Sequence, residues 1–444
     1  MRRIRRRLFL KHGALALAAM GAPPAFLART LFAEIRGAAR GKTLVFVFQR
    51  GAADGLAMVV PHAEEAYYRV RGSTAIPAPR SGQGGAALDL DGFFGLHPEL
   101  HPLRPLFLDR ELAVVHACGS PHPTRSHFDA QEFMETGTPG ERSRVGWLNR
   151  LLSERGTHEV GRCGCGRTLA DGAAHDADHA AGQVALAEDL SPLRGVAIGG
   201  RLPRALQGPY PAMAIHDVER FGLADPSLAA AFQRLYRDDS GDVIATAAGE
   251  SFAAVERLRR AKPARYRPRS GVEYPGSDFG RALLQVAQLI KADVGLEVAF
   301  VDIDGWDTHL AQGGAHGPLA VQLRELARGL RAFVDDLGPR MEDVVLITMS
   351  EFGRTVAENG AGGTDHGHGN CMLVVGGGVN GGRVLGEWPG LEREQLYEGR
   401  DLAITTDFRD LFGEIVTEHL GAASLERVFP GYTVDPSRFR GVLA

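Results

Sequence analysis

Three short polar segments of the sequence contain side chains that commonly bind metal ions. "DGWDTH" (304–309), "SEFGRT" (350–355) and "GGTDHGHGN" (362–370) each follow or precede an apolar stretch. Imidazole nitrogens and carboxylate oxygens suit Zn²⁺, Mn²⁺ or Fe. The candidate ligands are Asp307, His309, Glu351, Asp365, His366 and His368.

Each segment also has a structural interpretation. Asp307 or Thr308 can cap a helix, and Glu351 can form an ion pair with Arg354. The histidines of 362–370 can belong to a flexible turn. Three potential ligands within four residues favour a site, because the surrounding glycines let the backbone approach a ligand closely.

A candidate nucleophile lies in "PHPTRSHFDAQEFMETG" (121–137), where a helix is expected to begin at Thr124 or Ser126. Free N–H groups and the helix dipole favour a phosphate or an oxyanion at such a position. Arg125 can add a bidentate phosphate contact. Serine at a helix start is more often a cap. Under the catalytic interpretation of this segment, the candidate residues are Ser126, Arg125 and His127.

Apolar strands and amphipathic helices alternate along the chain and position these segments. The expected strands are "KTLVFVFQR", "ELAVVHACG", "LEVAFVDID", "DVVLITM" and "CMLVVGGGV". The expected helices are "SDFGRALLQVAQLIKADV", "PLAVQLRELARGLRAFVDDL" and "TTDFRDLFGEIVTEHL", the last with Thr405 or Thr406 near its start. This alternation predicts an α/β fold with a doubly wound, mostly parallel sheet flanked by helices. Ligands bind beyond the carboxyl ends of such strands, so the polar segments are expected to converge.

Length and composition limit the class of protein. The chain has 444 residues, of which 44% are hydrophobic, and a formal net charge of −4. This is enough for a large core, and we expect a single domain over residues 41–444. A nucleic-acid binder would usually show a basic stripe, which the balanced charge disfavours. No apolar run after the N-terminal region is long enough to span a bilayer.

The N-terminus has the layout of an export signal. "RRRLFLK" (5–11) precedes the mildly apolar "GALALAAMGAPPAF", and it is similar to the twin-arginine consensus with Arg5 in place of Ser or Thr. A basic amphipathic helix is the alternative. We therefore expect residues 1–40 to be a signal peptide and linker, the twin-arginine machinery to be a partner, and the mature protein to be periplasmic or extracellular.

Residues near 154–183 differ from their surroundings and suggest a surface insertion. They are rich in Gly, Ala, His and Asp and have no apolar period. A zinc site is one interpretation, from Cys163, Cys165, His175 and His179. Cys-x-Cys is not a standard zinc pattern, so a loop with a thiol pair is favoured. Four cysteines in all exclude a disulfide-built scaffold but allow one disulfide.

Six segments together resemble the domain-of-unknown-function 1501 family, from about Lys42 to about Pro430. They are "RGAADGL", "FGLHPEL", "RSHFDAQEFMETG", "DGWDTH", "SEFGRT" and "GGTDHG". Members of that family are similar to the alkaline phosphatase and sulfatase superfamily. The resemblance implies an alkaline phosphatase-like fold, with Ser126 as nucleophile on a helix that ends at Thr136-Gly137. It also implies that Asp307 and His309 share one metal, with Asp304 as an alternative acid, and that His366, or else His368, completes the site.

The sequence departs from the superfamily pattern at two places. The first strand ends in Gln49-Arg50, where a metal-bridging acid is expected, and Asp54 comes several residues later. Phe352 stands where a histidine is expected. Arg50 at this position is able to bind an anionic substrate directly, and Arg50 and Asp54 are the substrate-binding candidates.

The expected function is that of an exported hydrolase of phosphate or sulfate esters, dependent on a divalent metal such as Zn²⁺, Mn²⁺ or Mg²⁺. Its substrate would be a small-molecule or polymer-bound anionic ester, with neither nucleic acid nor membrane as a partner. The alternative is a non-catalytic periplasmic binding module with a degenerate site.

Export gives the first testable prediction. Changing Arg6 and Arg7 together to lysine should retain the protein in the cytoplasm, because the twin-arginine receptor reads the arginine pair. Fractionation and immunoblotting measure the location. The Arg2→Lys/Arg3→Lys variant removes an arginine pair outside the motif and should be exported normally. Normal periplasmic delivery of the Arg6/Arg7 variant would contradict the signal.

Overall fold

A mostly parallel β-sheet forms the centre of the protein. The computed structural model describes residues 41–79, 84–160, 191–221, 254–259, 261 and 266–444, and only the main chain of 156–160. Within these residues nine strands form the main sheet and three short strands form a second, antiparallel sheet. Lys42–Ala444 is one compact unit.

The strands are β1 (Thr43–Arg50), β2 (Val59–Val60), β3 (Leu88–Asp89), β4 (Gly95–Leu96), β5 (Leu112–Gly119), β6 (Gly195–Ile198), β7 (Met213–Ile215), β8 (Val298–Asp304), β9 (Val344–Met349), β10 (Asn370–Gly376), β11 (Arg383–Leu385) and β12 (Thr406–Asp407). The α-helices are α1 (Gly55–Met58), α2 (Glu65–Arg71), α3 (Arg104–Leu108), α4 (His127–Thr136), α5 (Trp147–Val160), α6 (Asp278–Lys291), α7 (Pro318–Leu337), α8 (Phe408–Glu418) and α9 (Leu425–Val428).

The main sheet has the order β11-β5-β10-β9-β1-β8-β6-β7, with β12 beside β5. Among the described strands of this main sheet, only β10 runs antiparallel to its neighbours, and the other pairs are parallel. The predicted α/β class with a mostly parallel sheet is confirmed.

The central strand β1 shows why its sequence is continuously apolar. Val45 and Val47 pack into the core on one face of the sheet, and Leu44, Phe46 and Phe48 pack into the core on the other face. Helices α6 and α7 cover the first face, and α5 and α8 contribute to the second. Because neither face meets water, the period-2 alternation of a half-exposed strand is absent.

The helices begin where capping chemistry allows. The Ser277 hydroxyl accepts a hydrogen bond from Gly280 N at 3.0 Å at the start of α6. Helix α8 begins later than expected, since Thr406 and Asp407 form β12. The Asp407 carboxylate, and not a threonine, accepts from Arg409 N at 2.9 Å.

The strand directions decide where the polar segments meet. Strands β1, β5, β8 and β9 are mutually parallel, so their carboxyl ends lie at one edge of the sheet. Strand β10 is antiparallel and begins at that edge. The segments that follow β1, β5, β8 and β9 therefore lie at the same edge of the sheet as the loop that precedes β10.

Several sequence expectations fall partly outside the described residues. Residues 1–40, with the signal, lie outside them, as do Cys163, Cys165, His175 and His179. Residues 154–160 of the expected insertion belong to α5. Cys118 and Cys371 are buried free thiols. No helix in the described part of the chain has the length and apolar character to cross a membrane.

A buried carboxylate fastens the segment before α6 to both helices of one layer. Asp336 on α7 is fully buried and accepts from Lys291 Nζ and Tyr274 Oη at 2.8 Å each. It also accepts from the Arg269 N–H at 2.8 Å and from the Tyr266 hydroxyl. Removing the carboxylate would leave two tyrosine hydroxyls and the Arg269 N–H without their acceptor, and the Lys291 ammonium without its counter-charge.

The second prediction compares two adjacent aspartates on α7. Asp336→Ala should lower the free energy of unfolding by about 3–5 kcal/mol, as expected when one partner of a buried pair is removed. Asp335→Ala removes an exposed ion pair with Arg331 and should cost less than about 1 kcal/mol. Denaturant titration measures both. Equal losses would contradict the role assigned to Asp336.

Candidate metal and catalytic site

Three histidines surround the Asp307 carboxylate at the carboxyl edge of the sheet. His309 Nε2 lies 3.1 Å and His366 Nε2 lies 3.4 Å from Asp307 Oδ1, and His127 Nε2 lies 3.6 Å from Oδ2. The Nε2 atoms of His309 and His366 are 2.9 Å apart. One ring comes from the start of α4, one from the segment after β8, and one from the loop before β10. Four side chains from three segments that are distant in sequence therefore share one small volume.

The other ring nitrogen of each histidine is hydrogen-bonded to a protein oxygen. The Nδ1 pairs are His127 with Glu351 Oε1 (2.7 Å), His309 with Asp365 Oδ1 (2.9 Å) and His366 with the Arg125 carbonyl (2.9 Å). These contacts fix the orientation of each ring and leave the three Nε2 atoms directed towards Asp307.

The Arg354 side chain forms the floor of the site. Its guanidinium is fully buried and donates to Asp307 Oδ1 at 2.6 Å. Its remaining hydrogen bonds go to the carbonyl oxygens of Gly51, Ala52, Trp306 and Thr364. Burial tends to raise the pKa of Asp307, but the hydrogen bond and charge of Arg354 outweigh it and hold that pKa below its usual value. Asp307 is therefore a carboxylate.

Glu351 connects β9 to α4. Its Oε1 accepts from Gly51 N at 2.9 Å and from Gln131 Nε2 at 2.8 Å, in addition to His127. Burial tends to raise the pKa of Glu351, but these hydrogen bonds, led by that of His127, lower it. The alternative ion pair with Arg354 does not form. Gln131 was missed by sequence reasoning, although its i+4 spacing from His127 places both on one helix face.

Ser126 occupies the N-cap position of α4, but it does not act as a side-chain cap. Its hydroxyl makes no hydrogen bond to the first turn, in contrast to Ser277 on α6. Its neighbours Arg125 and His127 both contact the histidine cluster, through a carbonyl and a ring respectively. The helix ends at Thr136, and Gly137 adopts a φ of +68°, which suits the expected Thr-Gly end.

The 362–370 loop is packed against both other site segments. A Cβ at Gly363 would collide with the His309 carbonyl, and a Cβ at Gly367 would collide with the Arg354 main chain. Asn359 donates to the Asp365 carboxylate at 3.0 Å and to the His309 carbonyl at 2.9 Å. The glycines therefore serve close backbone approach, which places His366 beside His309.

Two candidate residues lie away from the cluster. His368 is buried and stacks on Tyr397 with ring centroids 4.2 Å apart, and burial lowers its pKa to about 4. Asp54 is buried in an ion pair with Arg71 and accepts from Gln312 Nε2 at 2.7 Å. Its oxygens are engaged inside the protein and cannot meet a substrate. Asp304 is exposed, and the carboxylate among the histidines is that of Asp307.

The two arginines proposed to bind phosphate are already engaged. Each guanidinium donates to carboxylate or amide oxygens of the protein, so neither is free in this arrangement to clamp an anion. The partners are Asp302, Glu135 and Gln131 for Arg50, and Asp401 and Glu398 for Arg125. Arg125 contributes instead through its carbonyl, which orients His366.

The donor set fits a divalent metal ion. Ligand atoms of His127, Asp307 and His366 all lie within 4.8 Å of one another. His127 Nε2 is buried and has no hydrogen-bond partner in the described structure. The Asp307 side chain is 48% exposed, so the site can be reached from solvent. Neutral imidazole and carboxylate ligands in this number are typical of zinc and manganese centres.

One family model matches the part of the chain that contributes most of this site. The family model described as "Protein of unknown function (DUF1501)" matches residues 225–426. The resemblance is confirmed for that part of the chain, which includes Asp307, His309, Glu351 and His366. Ser126 and His127 precede it.

Other comparisons are more distant. No curated protein matches the chain. The crystal structure of the PsFucS1 sulfatase from Pseudoalteromonas sp. is similar with a TM-score of 0.32 and 13% identity, over 82% of this chain and 68% of that chain. A likeness at this level does not assign the site.

The third prediction concerns Arg354. A lysine cannot reach five acceptors in several directions, so Arg354→Lys should leave buried carbonyls unpaired and lower the free energy of unfolding by on the order of 3 kcal/mol. Arg400 is 45% exposed and bonds Asp401 and the His366 carbonyl. The Arg400→Lys variant should change the free energy of unfolding by less than about 1 kcal/mol. Thermal and denaturant unfolding measure both. A stable Arg354→Lys protein would contradict the central role of the guanidinium.

Proposed function

We propose that the protein is an exported, metal-dependent hydrolase of phosphate or sulfate esters. The observation that carries the proposal is the link between the candidate nucleophile and the candidate ligands. Ser126 lies between Arg125, whose carbonyl accepts from His366 Nδ1, and His127, whose ring lies 4.3 Å from that of His366. A hydroxyl without a capping bond thus stands beside the polar cluster.

Asp307, His309 and His366 are the residues that would hold the ion. Their Nε2 and carboxylate atoms converge, and the Nδ1 contacts of both histidines hold the rings in place. A bound divalent ion supplies a Lewis acid that lowers the pKa of a nearby hydroxyl and offsets negative charge.

Ser126 would act as the nucleophile in a two-step reaction. Its Oγ forms a bond to phosphorus or sulfur while the bond to the ester oxygen breaks, and the serine proton ends on the leaving alcohol. Water then attacks the serine ester, which restores the hydroxyl and releases phosphate or sulfate. Unpaired N–H groups at the start of α4 would favour the anionic group.

The site is open enough to admit substrates of different sizes. Asp307 and His309 side chains are 48% and 37% exposed, so the ester can be part of a small molecule or of a polymer. The N-terminal segment that is similar to the twin-arginine consensus predicts export through the twin-arginine machinery to the periplasm or the extracellular space. Zn²⁺, Mn²⁺ and Mg²⁺ are the ions to test.

Specific substitutions favour a second candidate, a non-catalytic binding module. Gln49 and Arg50 stand where a metal-bridging acid is expected, and Arg50 is bound by protein side chains. Phe352 replaces a histidine and packs its ring 5.0 Å from that of His366. A second metal site of the superfamily type is therefore incomplete in the described structure.

The fourth prediction tests whether Ser126 acts as a nucleophile or serves only as the first residue before helix α4. With Zn²⁺ or Mn²⁺ present, wild type should hydrolyse aryl phosphate or aryl sulfate esters, and a chelator should abolish the activity. Ser126→Ala should lower kcat by at least about 100-fold, because it removes the attacking atom. Its melting temperature should change little, since the hydroxyl makes no capping bond.

Ser424→Ala is the matched control. Ser424 also occupies an N-cap position without a side-chain hydrogen bond, at the start of α9. It should keep full activity. Hydrolysis that survives Ser126→Ala would move the attack to Thr124 or to water, and a metal-loaded wild type without hydrolysis of either ester would favour the binding module.

A further inference from the structure

We infer that His127 is a ligand of the same metal ion as Asp307, His309 and His366, and that Glu351 is the residue that positions it. The centre would then have three imidazole Nε2 atoms and one carboxylate oxygen. This inference rests on the metal centre of the proposed function but not on the hydrolysis. It also assigns Glu351, a candidate ligand from the sequence, to orienting a ligand instead.

The acceptors on the three Nδ1 atoms decide the tautomer of each ring. Glu351 and Asp365 are carboxylates, and the partner of His366 is the Arg125 carbonyl, so none of them can donate. Each neutral imidazole must then carry its proton on Nδ1 and its lone pair on Nε2. This combination of an oxygen acceptor behind the ring and a free lone pair in front is typical of metal-bound histidines.

The distances among Asp307, His309 and His366 are close to those around one small ion, and ligand atoms of His127, Asp307 and His366 lie within 4.8 Å of one another. Ligand atoms 2.0–2.1 Å from a tetrahedral zinc ion lie about 3.3 Å from one another. Asp307 Oδ1 lies 3.1 Å from His309 Nε2 and 3.4 Å from His366 Nε2, and Asp307 Oδ2 lies 3.6 Å from His127 Nε2. The contact between His309 Nε2 and His366 Nε2 is 2.9 Å. Two lone pairs at 2.9 Å repel unless a cation or a proton lies between them.

His127 provides the independent part of the argument. Its Nε2 is buried without a hydrogen-bond partner in the described structure, although its Nδ1 is firmly bound at 2.7 Å. Its ring is fixed between Phe352 and His366, with centroids at 5.1 and 4.3 Å. A buried, oriented nitrogen that faces Asp307 and lacks a partner is the arrangement that a metal ion would complete.

Glu351 acts through His127. Its Oε1 already accepts from Gly51 N and Gln131 Nε2 as well as from the histidine, so its lone pairs are occupied. Its Oε2 lies 2.9 Å from Ser350 Oγ, so this fully buried carboxylate contacts protein groups through both oxygens. By holding His127 it also holds the first residue of α4, and so ties the position of Ser126 to the metal.

The inference is tested by measuring metal binding to the protein expressed from its full-length gene and purified after export. After dialysis against Zn²⁺ and then metal-free buffer, elemental analysis should give one Zn²⁺ per chain in the wild type. His127→Ala should weaken Zn²⁺ binding by at least about 100-fold in competition with a chromogenic chelator. Glu351→Gln should weaken it by about 10–100-fold, as reported generally for residues that orient a metal-bound histidine.

Two controls keep the result interpretable. His101→Ala removes an exposed histidine away from the site and should bind Zn²⁺ as the wild type does. Circular dichroism checks that each variant is folded. Should His127→Ala fail to fold, Glu351→Gln retains the shape and an acceptor oxygen, and the Co²⁺ absorption spectrum of this variant should shift as His127 loses its orientation.

The outcomes separate this inference from the proposed reaction. Wild-type binding with a weakened His127→Ala supports the inference even if no ester is hydrolysed. Zn²⁺ affinity of His127→Ala within threefold of the wild type would overturn it and leave the hydrolase proposal standing. A wild type that retains no Zn²⁺, Mn²⁺ or Co²⁺ would overturn it together with the metal dependence, and a proton shared between the Nε2 atoms of His309 and His366 would then account for their 2.9 Å contact.

Discussion

The buried guanidinium of Arg354 holds the candidate site together. It bonds main-chain oxygens of the segments after β1 and β8 and of the loop before β10, and its charge is balanced by Asp307. Only arginine presents five donors in a rigid plane, so one side chain can fix three segments at once. Each buried carbonyl left unpaired would lower the free energy of unfolding by about 1–3 kcal/mol, so other positions of these segments are strongly disfavoured. Asp307 is thereby fixed as the point around which the histidines assemble.

A second buried ion pair repeats this principle behind the site. Arg71 pairs with Asp54 and donates to the carbonyls of Thr355 and Val356, while Gln312 completes the Asp54 carboxylate. A charge inside a protein requires a partner, so several charged residues that sequence patterns associate with catalysis serve structure instead. Arg50 and the Arg125 side chain follow the same rule, since carboxylates of the protein occupy them. What remains accessible is the cluster of histidines around Asp307.

The chemistry of the cluster depends on acceptors that lie behind the rings. Carboxylate or carbonyl oxygens bind each Nδ1, so the reactive Nε2 atoms face inward and their tautomer is set by the fold. Glu351 extends this control to α4, because it binds both His127 and Gln131 on one helix face. The same contacts place Ser126 next to the cluster. The orientation of the histidine rings and the start of α4 are therefore parts of one hydrogen-bond network.

The sequence by itself determined the five longest strands, helices α4, α6, α7 and α8, and the edge of the sheet at which the polar segments meet. Continuous apolar runs and helical periods report local burial, and parallel strands share one carboxyl edge. Only the tertiary structure decided which residues become partners. Glu351 binds His127 and not Arg354. His366 joins the cluster whereas His368 stacks on Tyr397, and Asp54 pairs with Arg71 in the interior. The residues of these pairs are tens to hundreds of positions apart, and no local pattern encodes their distances. Those distances follow from how glycine-bearing loops pack around Arg354, because a buried charge accepts only the partners that the packed backbone brings within hydrogen-bond reach.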